Sequence, residues 1–521
     1  MCADAPGRVD AGPGDDQGED VMVGTGTSSC RVAVIGAGFG GLGMAYYLKQ
    51  AGIDDFVVLE KGDEVGGTWR ENTYPGAACD IPSHLYSFSF ENHYPWSSRY
   101  APQPEILGYM KHCADKYGLR SHIRFGAEVA EARYEEASGH WILTLADGST
   151  LRAGHVVSAV GQLHRPATPD IPGLGRFEGH RFHSARWDHE HDLSGRRVAV
   201  IGTGASAIQF VPAIADRVAQ MYVFQRSPGW VIPKFERVFS GFEQWLFRKF
   251  PILHDIDRFR IRMITETLAR AYSGNRFIER LVTWLSKAQF RTQVRDPAMR
   301  KKLTPDYPIG CKRILLTRDW LPTLMRPNVE PVTDGITEIT AHGVRTEDGQ
   351  ERQVDTLIFG TGFAATQFLT PMRVVGRDGR DLHEDWRRGA AAYLGMEVSG
   401  YPNFHVLYGP NTNLGSGSII YMLECQQRYI VQLLQDQNAR GWRAAEISEQ
   451  AEQAWIEEMR HRSATTSFEG GCRSWYVTAD GVNTNNWTGL MREYRDRTAK
   501  PLMTAYRLTP AVADERRQVA A

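Results

Sequence analysis

Four histidines, His180, His183, His189 and His191, fall within the fifteen residues of FEGHRFHSARWDHEH. Imidazoles at that density could bind a metal, move protons or mark a surface joint. Two glycine turns are more explicit. In RVAVIGAGFGGLGMAYYLKQAGIDDFVVLEK, Gly36, Gly38 and Gly41 follow an apolar run, and a second apolar run ends at Glu60, 24 residues after Gly36. Such a turn brings a pyrophosphate against the backbone at a helix start, and the distant carboxylate can accept hydrogen bonds from both ribose hydroxyls. A second copy, RRVAVIGTGASAIQFVPAIADRVAQMYVFQRSP, carries Gly202, Gly204 and Ala207 but ends in Gln225, Arg226 and Ser227. Arg226 can pair with a 2'-phosphate that a carboxylate would repel, so this second unit is predicted to take NADPH.

Each turn needs a strand before it and a helix and strand after it. The predicted fold class is therefore α/β, with two Rossmann-like dinucleotide-binding domains. Both modules close alike: LTLADGSTLRAGHVVSAVG and VRTEDGQERQVDTLIFGTG each read as strand, Asp-Gly turn, strand, then an apolar strand ending in glycine. The second module is interrupted from Phe235 to Leu303 by apolar residues at helical spacing with basic residues between them. We read this as a helical insertion in the NADPH domain that walls the active site, with membrane contact the lesser reading. The expected organisation is a disordered acidic, Gly-rich tail (1–30), a first dinucleotide domain (31–165), a linker (166–190), the NADPH domain (191–234 and 304–362) around its insertion (235–303), and a return to the first domain (363–521).

The 521 residues carry 60 basic and 61 acidic side chains, a net charge of -1 without blocks of one sign, which points away from nucleic acid and anionic membranes. No apolar run approaches the roughly twenty residues of a spanning helix. Seven scattered cysteines without a CxxC pair suit reduced thiols in a cytoplasm. Cys79 stands alone in its region, which argues against a disulfide reductase, although two adjacent modules suggest a flavoprotein that passes hydride from NADPH to FAD.

The stretch around the histidines fits a longer pattern, FxGxxxHxxxW followed by Pro or Asp, at Phe177, Gly179, His183, Trp187 and Asp188. GTWRENTYPGAACD supplies Gly67, Trp69, Tyr74, Pro75, Gly76 and Asp80, and CKRILL supplies Lys312 and Arg313. With these motifs, from Arg31 to about Gly489, the chain resembles the type I Baeyer-Villiger monooxygenases of the flavin-containing monooxygenase superfamily.

That resemblance implies an enzyme using FAD, NADPH and O2 to convert a small-molecule ketone into an ester or lactone through a flavin peroxide. It implies that the Lys312-Arg313 pair enters a strand of the NADPH module and that Arg313 stabilises the peroxide and the tetrahedral adduct, oriented by Asp80. Thr68, Trp69 and Tyr86 would line FAD, and Val129 would hold its adenine. Ser206 and Gln209 would face the NADPH pyrophosphate, and Ser227 and Lys312 would join Arg226 on the 2'-phosphate. CRSWYVTADG resembles a mobile loop closing over NADP, with Trp475 at the nicotinamide ribose. In NNWTG, Thr488 replaces the family's proline, which leaves the rigidity of that turn open.

In the family the fingerprint belongs to the domain junction, so His183 is expected to couple domain movement. His180, His189 and His191 are expected to be solvated, with no metal. An N- or S-oxidising flavin monooxygenase is the nearest alternative, disfavoured by Trp187 and Asp188. A non-catalytic redox-sensing flavoprotein would be expected to lack Asp80 or the Lys312-Arg313 pair, and a metalloenzyme would have to be built on the histidines. The chain is expected to be a monomer or small homo-oligomer. Asn411, Asn413 and Ser416 border the flavin region without an assigned role.

Overall fold

The apolar run before the first glycine turn forms the strand Ser28–Ile35, whose last four residues are fully enclosed. It pairs in parallel with Phe56–Leu59 on one side and Thr150–Ser158 on the other. A computed structural model describes residues 28–469, 471, 476–478 and 481–511. The first sheet has eight strands, in the order Arg373–Val375, Val129–Glu135, His140–Leu145, Thr150–Ser158, Ser28–Ile35, Phe56–Leu59 and Ile123–Arg124, with Phe404–Val406 also joined to Thr150–Ser158. The two strands from beyond residue 363 show the chain returning to its first sheet. The helix Phe39–Gln50 packs on the long helix Ile419–Arg440, where Gln427 Nε2 donates to the Gly40 carbonyl at 2.9 Å.

The second sheet is wholly parallel: Val329–Val332, Gln220–Phe224, Arg197–Ile201, Thr356–Phe359 and His180–His183. Three readings are corrected. Residues 166–190 are not linker throughout, because His180–His183 is the edge strand of this sheet, in register with Thr356–Phe359. The first closing unit needs no separate third strand, since the nine residues of Thr150–Ser158 both complete the Asp-Gly hairpin and return to the sheet. The Lys312-Arg313 pair does not enter a strand of the five-stranded sheet. It leads into Leu315–Leu316, which pairs only with Val231–Ile232 and so fastens the two ends of the insertion together.

The insertion comprises Gly241–Lys249, Pro251–Tyr272, Arg276–Gln293 and Pro297–Leu303. Its first helix begins in a capping box, Ser240 and Glu243 each bonding the other's backbone N–H. One face, with Ile261, Tyr272, Val282 and Phe290, is buried, while Phe242, Ile252, Phe277 and Trp284 remain exposed. Among the described residues, no helix is long and apolar enough to cross a membrane. Cys30, Cys79, Cys113 and Cys425 are free thiols. Cys311, expected to be free as well, is disulfide-bonded.

Candidate active site

A cleft of about 1390 Å³ runs between the two sheets and is lined by both glycine turns. Single-ligand sites usually occupy roughly 300–1,000 Å³, so this space suits two dinucleotides. Gly36 and Gly202 open their turns at φ of 103° and 104°, a conformation side chains disfavour. A Cβ at Gly38 would meet nothing nearer than Gly67 Cα at 3.7 Å, and one at Gly204 would meet nothing within 4 Å. The backbone there is open to a phosphate. At Gly41 a Cβ would lie 1.8 Å from the Gly36 carbonyl oxygen, so this glycine serves helix-on-strand packing.

Glu60 is buried and accepts from the backbone N–H groups of Ala37 and Gly62, both at 2.8 Å, while Arg70 pairs with it at 3.2 Å. It therefore braces the first glycine turn as well as lining the cleft. Thr68 opens the short helix Thr68–Glu71, and Trp69 Nε1 donates to Tyr86 Oη at 3.0 Å. All three line the cleft together with Val129, which begins its strand. These residues fit FAD on the first module.

On the second module, Arg226 and Ser227 follow the strand Gln220–Phe224, and Lys312 Nζ donates to Ser227 Oγ at 2.5 Å. Burial first, and then the nearby Arg226 guanidinium, hold the Lys312 pKa below its ordinary value. Among the described residues, no carboxylate lies within ion-pair distance of either cation. Two crowded cations beside a hydroxyl form an anion site, which fits the 2'-phosphate of NADPH.

Ser206 lines the cleft at the start of Ala207–Ile214. Gln209 also lines it, but its amide is committed elsewhere. Its Oε1 accepts from Tyr74 Oη (3.0 Å) and the Ala78 N–H (3.3 Å), and its Nε2 donates to the Ala78 carbonyl (2.9 Å). Rather than standing free for a pyrophosphate, this side chain ties the second module to the segment preceding Asp80.

Arg313 and Asp80 meet in the cleft, the guanidinium donating to Asp80 Oδ2 at 2.6 Å. About a quarter of each side chain, 26% and 25%, stays exposed, enough to meet a ligand. Asp80 holds Arg313 firmly cationic against the opposing effect of burial. Burial pushes the Asp80 carboxyl up, but Arg313 and Lys234 overcome it, so its pKa falls below the usual value. Arg313 is aimed by its neighbours: the Ile314 N–H donates to Tyr272 Oη at 3.2 Å and the Leu315 N–H to the Trp230 carbonyl at 2.8 Å. Burial pushes the phenols of Tyr272 and Tyr408 up to about 12, so both remain neutral around this fixed ion pair.

Lys234, Tyr272 and Tyr408 are residues that sequence reasoning missed. Tyr272 comes from the insertion and accepts from the backbone beside Arg313, but no residue of the insertion is among those lining the cleft. Trp475 lies outside the described residues. Nearby, Asn413 Nδ2 donates to Asn486 Oδ1 and Asn411 Nδ2 to the Asn483 carbonyl, so these asparagines anchor the C-terminal turn. Ser416 donates to the Thr265 carbonyl of the insertion. Thr488 is held as a proline could not be, accepting from Arg462 Nε at 3.1 Å.

The fingerprint sits beside the cleft. Phe177 packs in the core of the second sheet, and a Cβ on Gly179 would strike both its ring and the Asp355 carbonyl. His183 is buried, its Nδ1 accepting from the Ala185 N–H. Trp187 lies against Phe210 and Phe182, with ring centroids 5.3 and 5.1 Å away. The other histidines have separate polar partners: His180 bonds Asp188, His189 bonds Thr73 and His191 bonds Thr356, while the His180 and His191 rings stack with centroids 4.1 Å apart. They form no metal site together, and His191 is half-buried rather than freely solvated.

The flavin-binding monooxygenase-like family matches residues 29–372. A Baeyer-Villiger monooxygenase of Streptomyces coelicolor is 45% identical over 93% of each chain, and one of Pseudomonas aeruginosa is 42% identical over 94% of each. Closed cyclohexanone monooxygenase superposes with a TM-score of 0.83 at 29% identity, covering 93% of this chain and 100% of that one. A steroid monooxygenase bound to NADP gives 0.82 at 30%, with the same coverage.

Proposed function

The chain belongs to the flavin-binding monooxygenase-like family, and from the site we infer an FAD- and NADPH-dependent Baeyer-Villiger monooxygenase, which inserts one oxygen atom of O2 beside a ketone carbonyl to give an ester or lactone. The observation that carries the chemistry is the Arg313-Asp80 pair in a cleft shared by two dinucleotide sites. Bound FAD supplies the passage of electrons from NADPH to oxygen. The chain's own residues do the rest.

Glu60 and the Gly36 turn hold one dinucleotide, and Arg226, Ser227 and Lys312 select the phosphorylated one. Arg313 presents a permanent cation where negative charge develops on the carbonyl oxygen under attack, and the surrounding neutral phenols keep the local dielectric low. Asp80 fixes the direction of that guanidinium and remains ionised throughout. The four free thiols favour a cytoplasmic location, and the disulfide at Cys311 counts against it. The test is to supply the purified flavoprotein with NADPH, oxygen and a panel of cyclic and linear ketones and to analyse products by mass. One added oxygen per ketone, with ester connectivity, is expected. Oxidation of amines or sulfides with no ester from any ketone would move the chain to the N- or S-oxidising branch.

A further inference from the structure

Away from the cleft, where the insertion meets the first domain, His254 lies in the first turns of the helix Pro251–Tyr272. It is only 2% exposed, yet among the described residues neither ring nitrogen has a hydrogen-bond partner. A buried imidazole with both nitrogens idle is costly and calls for a ligand. Two donors stand beside it. Asp255 follows it on the helix, and His93 comes from the loop after Ser89–Glu91 in the first domain. One ligand atom from each of the three lies within 4.8 Å of the other two. His93 and Asp255 are about half exposed, which leaves an entry path and room for a water ligand.

We propose that His93, His254 and Asp255 bind a divalent cation of the zinc type, clamping the helical insertion to the first domain. Two imidazoles and one carboxylate are ligands that borderline metals prefer and that hard cations such as Mg²⁺ do not. The partners already meet: His93 Nε2 and Asp255 Oδ1 are 3.0 Å apart, a contact in which the metal replaces a shared proton. Asn92 Nδ2 donates to the same carboxylate at 2.8 Å and serves as the outer support that orients a metal ligand. Around them, the His84 ring lies 4.0 Å from that of His254 while its Nδ1 engages Asp257 at 2.8 Å, so His84 packs against the site without being needed as a ligand. None of the three ligands lines the cleft.

The FAD-loaded full chain, stripped with a chelator and dialysed against Zn²⁺, is analysed for bound metal and for the temperature of flavin release. About one equivalent of zinc is expected, with a higher release temperature. Both effects are expected to disappear in His93→Ala and Asp255→Asn, whose side chains are exposed enough for folding to survive, and to persist in a His180→Ala/His191→Ala control. Equal zinc in the His93→Ala, Asp255→Asn and wild-type proteins overturns the site. Zinc that is lost in the control but kept in His93→Ala moves it to the fingerprint histidines. Flavin release that zinc does not alter overturns the clamp.

Discussion

Replacing Arg313 by alanine removes the cation nearest the reacting carbonyl and leaves the half-buried Asp80 without its partner. Loss of one such preorganised donor raises the barrier by roughly 2.7–4 kcal/mol, a fall of about 10²- to 10³-fold in turnover. Ester formation should drop by that factor in Arg313→Ala, while anaerobic bleaching of the flavin by NADPH should persist; ester made at the wild-type rate would remove Arg313 from the chemistry. Arg226 and Lys312 act on a different quantity. Each charge-assisted contact to phosphate contributes about 1.5–3 kcal/mol, so Arg226→Ala or Lys312→Ala should raise the NADPH Kd by roughly ten- to a hundredfold. The NADH Kd, measured by the same titration, should hardly move. Arg226 was legible because strand-end position and charge together specify a phosphate, whereas Lys312 was reached only through the family motif. Lys234 was not legible: it lies over the Tyr100 ring, 4.9 Å from the centroid, pairs with Glu236 at 2.7 Å and acts on Asp80 through its charge alone. Gln209 misled for a related reason, since spacing places it at the helix start while Tyr74 and Ala78 decide what its amide bonds.

At the scale of elements, the glycine turns separate folding from binding. In Gly41→Ala the new methyl group would overlap the Gly36 carbonyl, so helix Phe39–Gln50 would have to lift off strand Ser28–Ile35. That variant should yield little soluble flavoprotein. Gly38→Ala meets only an ordinary contact inside the protein, but its methyl group faces the phosphate. It should therefore fold, with wild-type circular dichroism, and carry less FAD per chain after desalting; full FAD occupancy in Gly38→Ala would show that the pyrophosphate does not approach there. Both strand-helix-strand units were legible because their apolar runs are long and their turns need glycine. The edge strand His180–His183 was not, because HRFH has no apolar run and its partner Thr356–Phe359 is supplied by chain 176 residues away. The insertion's helices were legible from their periodicity, but the exposure of Phe242, Phe277 and Trp284 was not, since an apolar stripe does not say what covers it.

For the whole molecule, the question is how the NADPH module communicates with the Arg313-Asp80 pair. A continuous packed path exists. Trp187 rests on Phe210, the Phe210 ring lies 6.0 Å from that of Tyr74, and Tyr74 and Ala78 share the Gln209 amide two residues before Asp80. His189 and Arg186 add contacts from the fingerprint to Thr73 and Glu71. The fingerprint therefore touches the first domain through side chains while belonging to the second sheet through His180–His183. Trp187 is not among the residues lining the cleft, so truncating it would loosen this junction. Trp187→Ala should thus bind FAD and oxidise NADPH, but yield less ester per NADPH consumed, the difference appearing as hydrogen peroxide. Trp187→Phe, which keeps an aromatic face toward Phe210, should recover most of the coupling. The ratio of ester to NADPH, taken together with peroxide, is the deciding measurement. An unchanged ratio in Trp187→Ala would mean that the domains communicate by another route, whereas parallel loss of FAD would mean that the tryptophan serves stability alone.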